Sequence, residues 1–129
     1  MSLEARCLSA AFGFGLCALA HAAPVSPPVR AEIDALLARL ETSACEFQRN
    51  GKWYKADEAR AHLLRKLEFL EEKSLVATTE EFIERGASTS SRSGKPYFVR
   101  CGSATSVESG PWLREMLKAV RGAGGPANR

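Results

Sequence analysis

Cys45-Glu46-Phe47-Gln48-Arg49-Asn50-Gly51-Lys52-Trp53-Tyr54 is the stretch on which the fold turns. Asn50-Gly51 is the strongest short-range signal for a type I′ hairpin, whose two central residues both need positive φ. The residues ahead of it alternate, and Lys52-Trp53-Tyr54 is expected to return as the second strand. Across a two-residue turn Arg49 faces Lys52 and Phe47 faces Tyr54, which puts both aromatics on one side. A third short β-prone run, Tyr97-Phe98-Val99-Arg100-Cys101, carries a second cysteine. With Cys45 opposed to Cys101 in an antiparallel pair, Phe47 faces Val99 and Arg49 faces Tyr97. The expected sheet therefore has three strands in the order second, first, third, with Phe47, Tyr54 and Val99 on the face that helices cover.

Working outward, Val29, Ile33, Leu36, Leu37 and Leu40 recur at helical spacing and predict an amphipathic helix over about 29–42. Ala56 to Lys73 holds no Gly or Pro, and Ala59, Leu63, Leu67 and Leu70 form its core-facing stripe. Thr78-Thr79-Glu80-Glu81 reads as a capping box, with Gly86 able to end the short helix that follows. Pro111 at a favoured N1 position opens a last helix through Trp112, Leu113, Met116, Leu117 and Val120. The reading is an α+β domain over residues 29–121, with about four helices on the small sheet. Residues 23–28 are expected to be a flexible lead-in and 122–129 a disordered tail.

At 129 residues, with 45% hydrophobic and 26% charged side chains, the chain has room for one ordinary globular domain. Its 18 basic against 15 acidic side chains leave a net charge of +3. That mild surplus suits anionic ligands but falls short of the basic stripe that nucleic acid requires, so nucleic acid is not an expected partner.

Residues 1–22 point to export. Arg6 leads into the apolar run Cys7–Ala20, and Ala20-His21-Ala22 fits the small-x-small rule for cleavage after Ala22. The run is too short for a membrane span, which needs about 20 residues. Leu16 stands before Cys17 where lipid attachment needs a small residue, so no stable membrane anchor is expected. Cleavage removes Glu4 and Arg6 together and leaves the net charge unchanged. It also leaves two cysteines, Cys45 and Cys101, an even number suited to a disulfide in the periplasm. A loop of about 57 residues closed in this way stabilises the fold by roughly 4 kcal/mol in the chain-entropy model. A zinc site lacks a CxxC pair, and His62 is the only histidine left, so neither metal nor cofactor is expected.

Three stretches in order carry a family resemblance: Phe47-x-Arg49-Asn50-Gly51-x-x-Tyr54; Glu58-Ala59-x-x-His62-Leu63-x-x-Lys66; and Thr79-x-Glu81 with Ala87-Ser88, followed by Ser91-x-Ser93-Gly94-Lys95-Pro96-Tyr97. The chain resembles the YfeK-like family of small exported bacterial proteins, a domain of unknown function, over about residues 29–120. The resemblance implies export to the periplasm and a single small domain. It implies no activity and no catalytic residues, and the disulfide stands outside its pattern.

Two constellations could carry chemistry. Glu58, His62 and Lys66 are spaced i, i+4, i+8 and project from one helix face. Joined to a serine of the 88–91 stretch, Glu58 and His62 would make a small hydrolase; no G-x-S-x-G elbow supports it, and Glu58 equally suits a helix start. Ser93-Gly94-Lys95 fails as a phosphate loop, because Thr89 and Pro96 stand where that motif needs Gly and Ser or Thr. A looser site remains, in which Arg49, His62, Ser88, Ser90, Ser91 and Lys95 meet at one end of the sheet and grip a carboxylate or phosphate. Trp53, opposite Phe47 and Tyr54, offers a contact for a partner if its face is uncovered. The leading functional expectation is a non-enzymatic binding or accessory protein of the cell envelope, its partner another envelope protein or a small anionic ligand.

Overall fold

The computed structural model describes residues 23–124 and the isolated Gly13. The expected export signal lies, Gly13 aside, outside the described residues, as do residues 125–129 of the expected tail.

Four helices and a four-stranded antiparallel sheet make an α+β fold, in which α2 and α4 lie against the strands and α1 and α3 pack on those helices. The strands are β1 (Glu46–Arg49), β2 (Lys52–Tyr54), β3 (Phe98–Arg100) and β4 (Val107–Glu108), in the order β2-β1-β3-β4. Asn50 and Gly51 have φ of 50° and 81°, as the two-residue hairpin demands, and Phe47 pairs with Tyr54 and Arg49 with Lys52. On the other edge of β1, Phe47 pairs with Val99. The cysteines one step beyond form the Cys45–Cys101 disulfide, with Cα atoms 4.3 Å apart.

The expected count of three strands is corrected to four. Val107 and Glu108 pair with Val99 and Phe98, and both are exposed. A two-residue strand with no buried face leaves no alternation to read, so its hydrogen bonds alone define it.

α1 (Pro27–Thr42) buries Ile33, Leu36, Leu37 and Leu40 completely. It starts two residues before the expected Val29, because Pro27 and Pro28 occupy the first turn, where a missing N–H costs nothing. Part of the expected flexible lead-in is also anchored: Val25 is buried and its N–H donates to Glu71 Oε2 at 2.9 Å. α2 (Ala56–Glu72) buries the stripe Ala59, Leu63, Leu67 and Leu70. α3 (Thr79–Gly86) is capped by Thr78, whose hydroxyl accepts from the Glu81 N–H at 3.1 Å. α4 (Ser109–Gly124) opens two residues ahead of Pro111, which is third in the helix rather than first and still within the turn that lacks N–H acceptors. Its end runs through residues 122–124, which were expected in the tail.

The pleat divides the side chains of β1. Phe47 points into the helical layer, edge-on to Trp112 with ring centroids 5.6 Å apart, and Arg49 follows on that side at the hairpin end, where α2 begins. Glu46 and Gln48 take the opposite face. There Trp53 is half-buried, with the Arg100 guanidinium 3.8 Å above its ring, so the contact imagined for a partner is occupied from within the chain.

Candidate functional site

At the hairpin end of the sheet, three elements aim polar side chains at one another. Arg49 ends β1, Tyr54 ends β2, and α2 presents His62 and Lys66 one turn apart on the same face. Tyr97 comes from the residue before β3. Arg49 Nη1 lies 2.8 Å from His62 Nδ1 and Nη2 donates to the Tyr54 hydroxyl at 3.3 Å. His62 Nε2 is 3.1 Å from the Tyr97 hydroxyl, to which Lys66 Nζ donates at 3.0 Å. Lys66 also donates to the Thr89 carbonyl at 2.9 Å.

These contacts assign the imidazole. Arginine only donates, so the nearer ring nitrogen, Nδ1, is the acceptor, and Nε2 carries the hydrogen towards Tyr97. Burial, then the positive charges of Arg49, Lys66 and Arg65, lower the His62 pKa to about 4, and the ring is neutral at pH 7. Burial and Arg49 lower Lys66 to about 8. The Arg49 hydrogen bond draws the Tyr54 hydroxyl below its ordinary value, whereas burial pushes the Tyr97 hydroxyl up. Once the internal bonds are drawn, what is left over is donors: N–H groups of Arg49, one of Lys66, and the Tyr97 O–H, whose oxygen already accepts twice.

The cluster forms the wall of an open cleft of about 590 Å³. Arg49, Lys52, Arg65, Lys66 and Arg92 line it, and no Asp or Glu does. Ion pairs formed by the described residues engage Arg30, Arg60, Arg100, Lys118 and Arg121, whereas the five cations of the cleft have no carboxylate of the described residues within 4.0 Å. Phe69, 52% exposed, borders the same cleft. Behind the wall lies a second cavity of about 150 Å³, whose floor is apolar: Leu40, Phe47, Ala59, Leu63, Ala87 and Leu113. Arg49, Tyr54, His62, Arg65 and Tyr97 border both spaces.

A family model described as "Family of unknown function (DUF5329)" matches residues 27–121. The chain belongs to that family. Searches of curated proteins and of solved structures give no match. The match opens at the first residue of α1 and closes in the last turn of α4, so the DUF5329 domain includes the whole sheet and the cleft. It agrees with the coarse content of the resemblance, one small domain of unknown function, and its description does not carry the YfeK-like name.

Of the residues singled out in the sequence, the DUF5329 domain brings Arg49, His62, Ser90 and Ser91 to the cleft. Ser90 is 4% exposed, and its Oγ accepts from Asn50 Nδ2 and the Arg92 N–H, both at 3.2 Å, so it ties the loop to the hairpin. Ser93 Oγ completes the tie by donating to Asn50 Oδ1 at 2.6 Å. Ser88 faces elsewhere: its hydroxyl donates to the Ile83 carbonyl, and it sits so close to Gly110 that a Cβ there would meet Ser88 Oγ at 2.7 Å. The exposed Lys95 does not border the cleft. Glu58 accepts from the Lys55 N–H at the start of α2, and the hydrogen-bond partners of His62 are Arg49 and Tyr97, not Glu58 or a serine.

Lys66, Tyr54 and Tyr97 belong to the site as well. Lys66 was legible as the third member of the His62 row. Tyr97 is itself buried in the core, 6% exposed, and only the closing of the β1 to β3 register shows that its hydroxyl ends beside His62. Among the described residues there is no group of three His, Cys, Asp or Glu able to hold a metal ion, and no helix long and apolar enough to cross a membrane.

Proposed function

We propose that this domain is a non-enzymatic binding protein of the cell envelope that captures an anionic ligand in the cleft between the hairpin, α2 and the Ser90–Arg92 loop. One observation carries the reading: five cations line one cleft with no carboxylate among them. Holding like charges together costs Coulomb energy that a bound anion returns. Surplus donors on Arg49, Lys66 and Tyr97 give its oxygens charge-assisted bonds at little ordering cost, because internal hydrogen bonds already fix the side chains. The hydrolase alternative has no such support, because Glu58 serves the helix start and His62 has no serine beside it.

Export through cleavage after Ala22 is part of the proposal and is supported by the apolar leader and by the disulfide. Titration of isotope-labelled protein with acetate and with inorganic phosphate tests the site. Amide shifts should concentrate at Arg49–Lys52 and Ser90–Arg92 and weaken with added salt. Shifts scattered over the surface, or none at these residues, would defeat the reading. A protein from the envelope fraction that retains residues 1–22 would defeat the export part alone.

A further inference from the structure

The two spaces that share a wall are placed as the two ends of one binding site. Resting on the anion reading, we propose that the ligand is a carboxylate with a short apolar tail, its head in the basic cleft and its tail, about six carbons or one aromatic ring, in the cavity behind.

Three observations carry this. First, the outer cleft and the inner cavity are adjacent: Arg49, Tyr54, His62, Arg65 and Tyr97 border both. A molecule crossing that wall passes from unmatched positive charge to Leu40, Leu63 and Leu113 within the length of one side chain. Second, the cavity is not sealed. Glu58 and Arg65, both exposed, also border it, so it reaches the surface beside α2. Third, its size is selective. A volume of about 150 Å³ is that of a space which takes up a single benzene-sized group. Protein interiors are ordinarily filled to crystal-like density, so an open apolar cavity of that size beside a charged cleft is a binding feature rather than a packing remainder.

The head group follows from the donors. Tyr97 O–H and the remaining N–H groups of Arg49 and Lys66 come from β1, α2 and the start of β3, and no hydrogen bond among the described residues uses them. A planar carboxylate offers about four lone-pair directions and meets a guanidinium edge-on. Glu58, the one carboxylate bordering the cavity, lies on the tail side and disfavours a second negative charge there.

Calorimetric titration of the full mature protein with a homologous series decides it: acetate, butanoate, hexanoate, octanoate and dodecanoate, the last below micelle formation, with phenylacetate as the ring-bearing member. Affinity should rise about fourfold per added methylene, the equivalent of ~0.8 kcal/mol for each CH₂ buried. The rise should stop at about six carbons, where the cavity is full. Ala59→Leu, which puts a larger side chain into the cavity, should flatten the series so that hexanoate binds no better than acetate. Acetate and hexanoate binding alike in the unaltered protein would overturn the tail while sparing the anion site. A rise that continues unbroken to dodecanoate would overturn the cavity as the tail's place and put the chain on the outer surface. Failure of every member to bind would remove both readings together. The chain-length break is read on the unaltered protein, so a poorly folding Ala59→Leu leaves the test intact.

Discussion

Cys45, just before strand β1, and Arg49, at its far end, are four residues apart and obey opposite rules. At the Cys45 end every strong group has its complement: the disulfide, the Glu46–Arg100 pair at 3.1 Å, and Arg100 stacked on Trp53. At the Arg49 end charges of one sign accumulate, and the arginine leans on a neutral histidine and a tyrosine hydroxyl instead of a carboxylate. The same contrast separates Arg49 from Arg121, which joins Glu32 and Glu80 across α1, α3 and α4 and is held charged by them. Arg121 completes its interactions within the chain, and Arg49 does not. The difference teaches where stability is made and where it is spent: the matched end secures a geometry that the unmatched end could not hold alone.

The comparison breaks most visibly through the disulfide. Replacing both cysteines by serine should lower stability by roughly 4 kcal/mol, given a closed loop of 56 residues' separation, and urea unfolding measures it. Anion-induced shifts at Arg49 and Ser90 should survive in whatever fraction remains folded, because the cysteines touch nothing in the cleft.

At the opposite end, Gly51→Val forces a β-branched residue to φ near 81° and should cost about 1–2 kcal/mol. An unchanged melting temperature would show that the turn can be remade. Arg49→Ala should weaken acetate binding by about tenfold, ~1.4 kcal/mol, and raise the His62 pKa from about 4 towards its ordinary value, followed by the ring-proton shifts. A stability loss with unaltered binding would make the cluster architectural.

Two smaller effects sharpen the contrast. Lys66 loses its proton at about pH 8 in the free protein, with Arg49, His62 and Tyr97 as its charged and titratable neighbours. Anion affinity should therefore fall as pH rises through 8, and Lys66→Arg should abolish that fall because arginine stays charged. His62 acts on stability: its folded pKa is depressed, so only the unfolded chain takes up the proton between pH 6.5 and about 4, and stability falls as pH drops through that window. The His62→Gln protein should lack that component in thermal melts. Arg100→Ala, at the matched end, should cost less than about 1 kcal/mol, since its pair with Glu46 is exposed.

The hairpin, the register of β1 with its neighbours and the four helices were legible because each rests on a local pattern: Asn50-Gly51, the alternating aromatics, the leucine stripes and the Thr78 cap. β4 was not, since Val107 and Glu108 carry no pattern of burial. The site was half legible. Arg49 and His62 follow from the register and the helix row. Ser88 and Lys95 share the loop 88–95 with Ser90 and Ser91 but lie outside the cleft, because a loop closed by the Thr89–Pro96 bridge turns its side chains in different directions. The clustering of Arg65, Lys66 and Arg92 comes from packing α2 against a loop more than 20 residues away, which no spacing rule encodes.

Asn50 carries two requirements at once. Its backbone sits at φ 50°, and its carboxamide gives a hydrogen to Ser90 and takes one from Ser93, 40 and 43 residues away. Glycine meets the backbone condition and neither bond. Aspartate tolerates the backbone and accepts from Ser93, but it has nothing to give Ser90 and would bring a negative charge to the cleft. Glutamine has the right amide on a side chain too long and a backbone averse to the turn. The alphabet at position 50 is thus reduced to a single letter, and a change there reaches two distant segments of chain through one side chain.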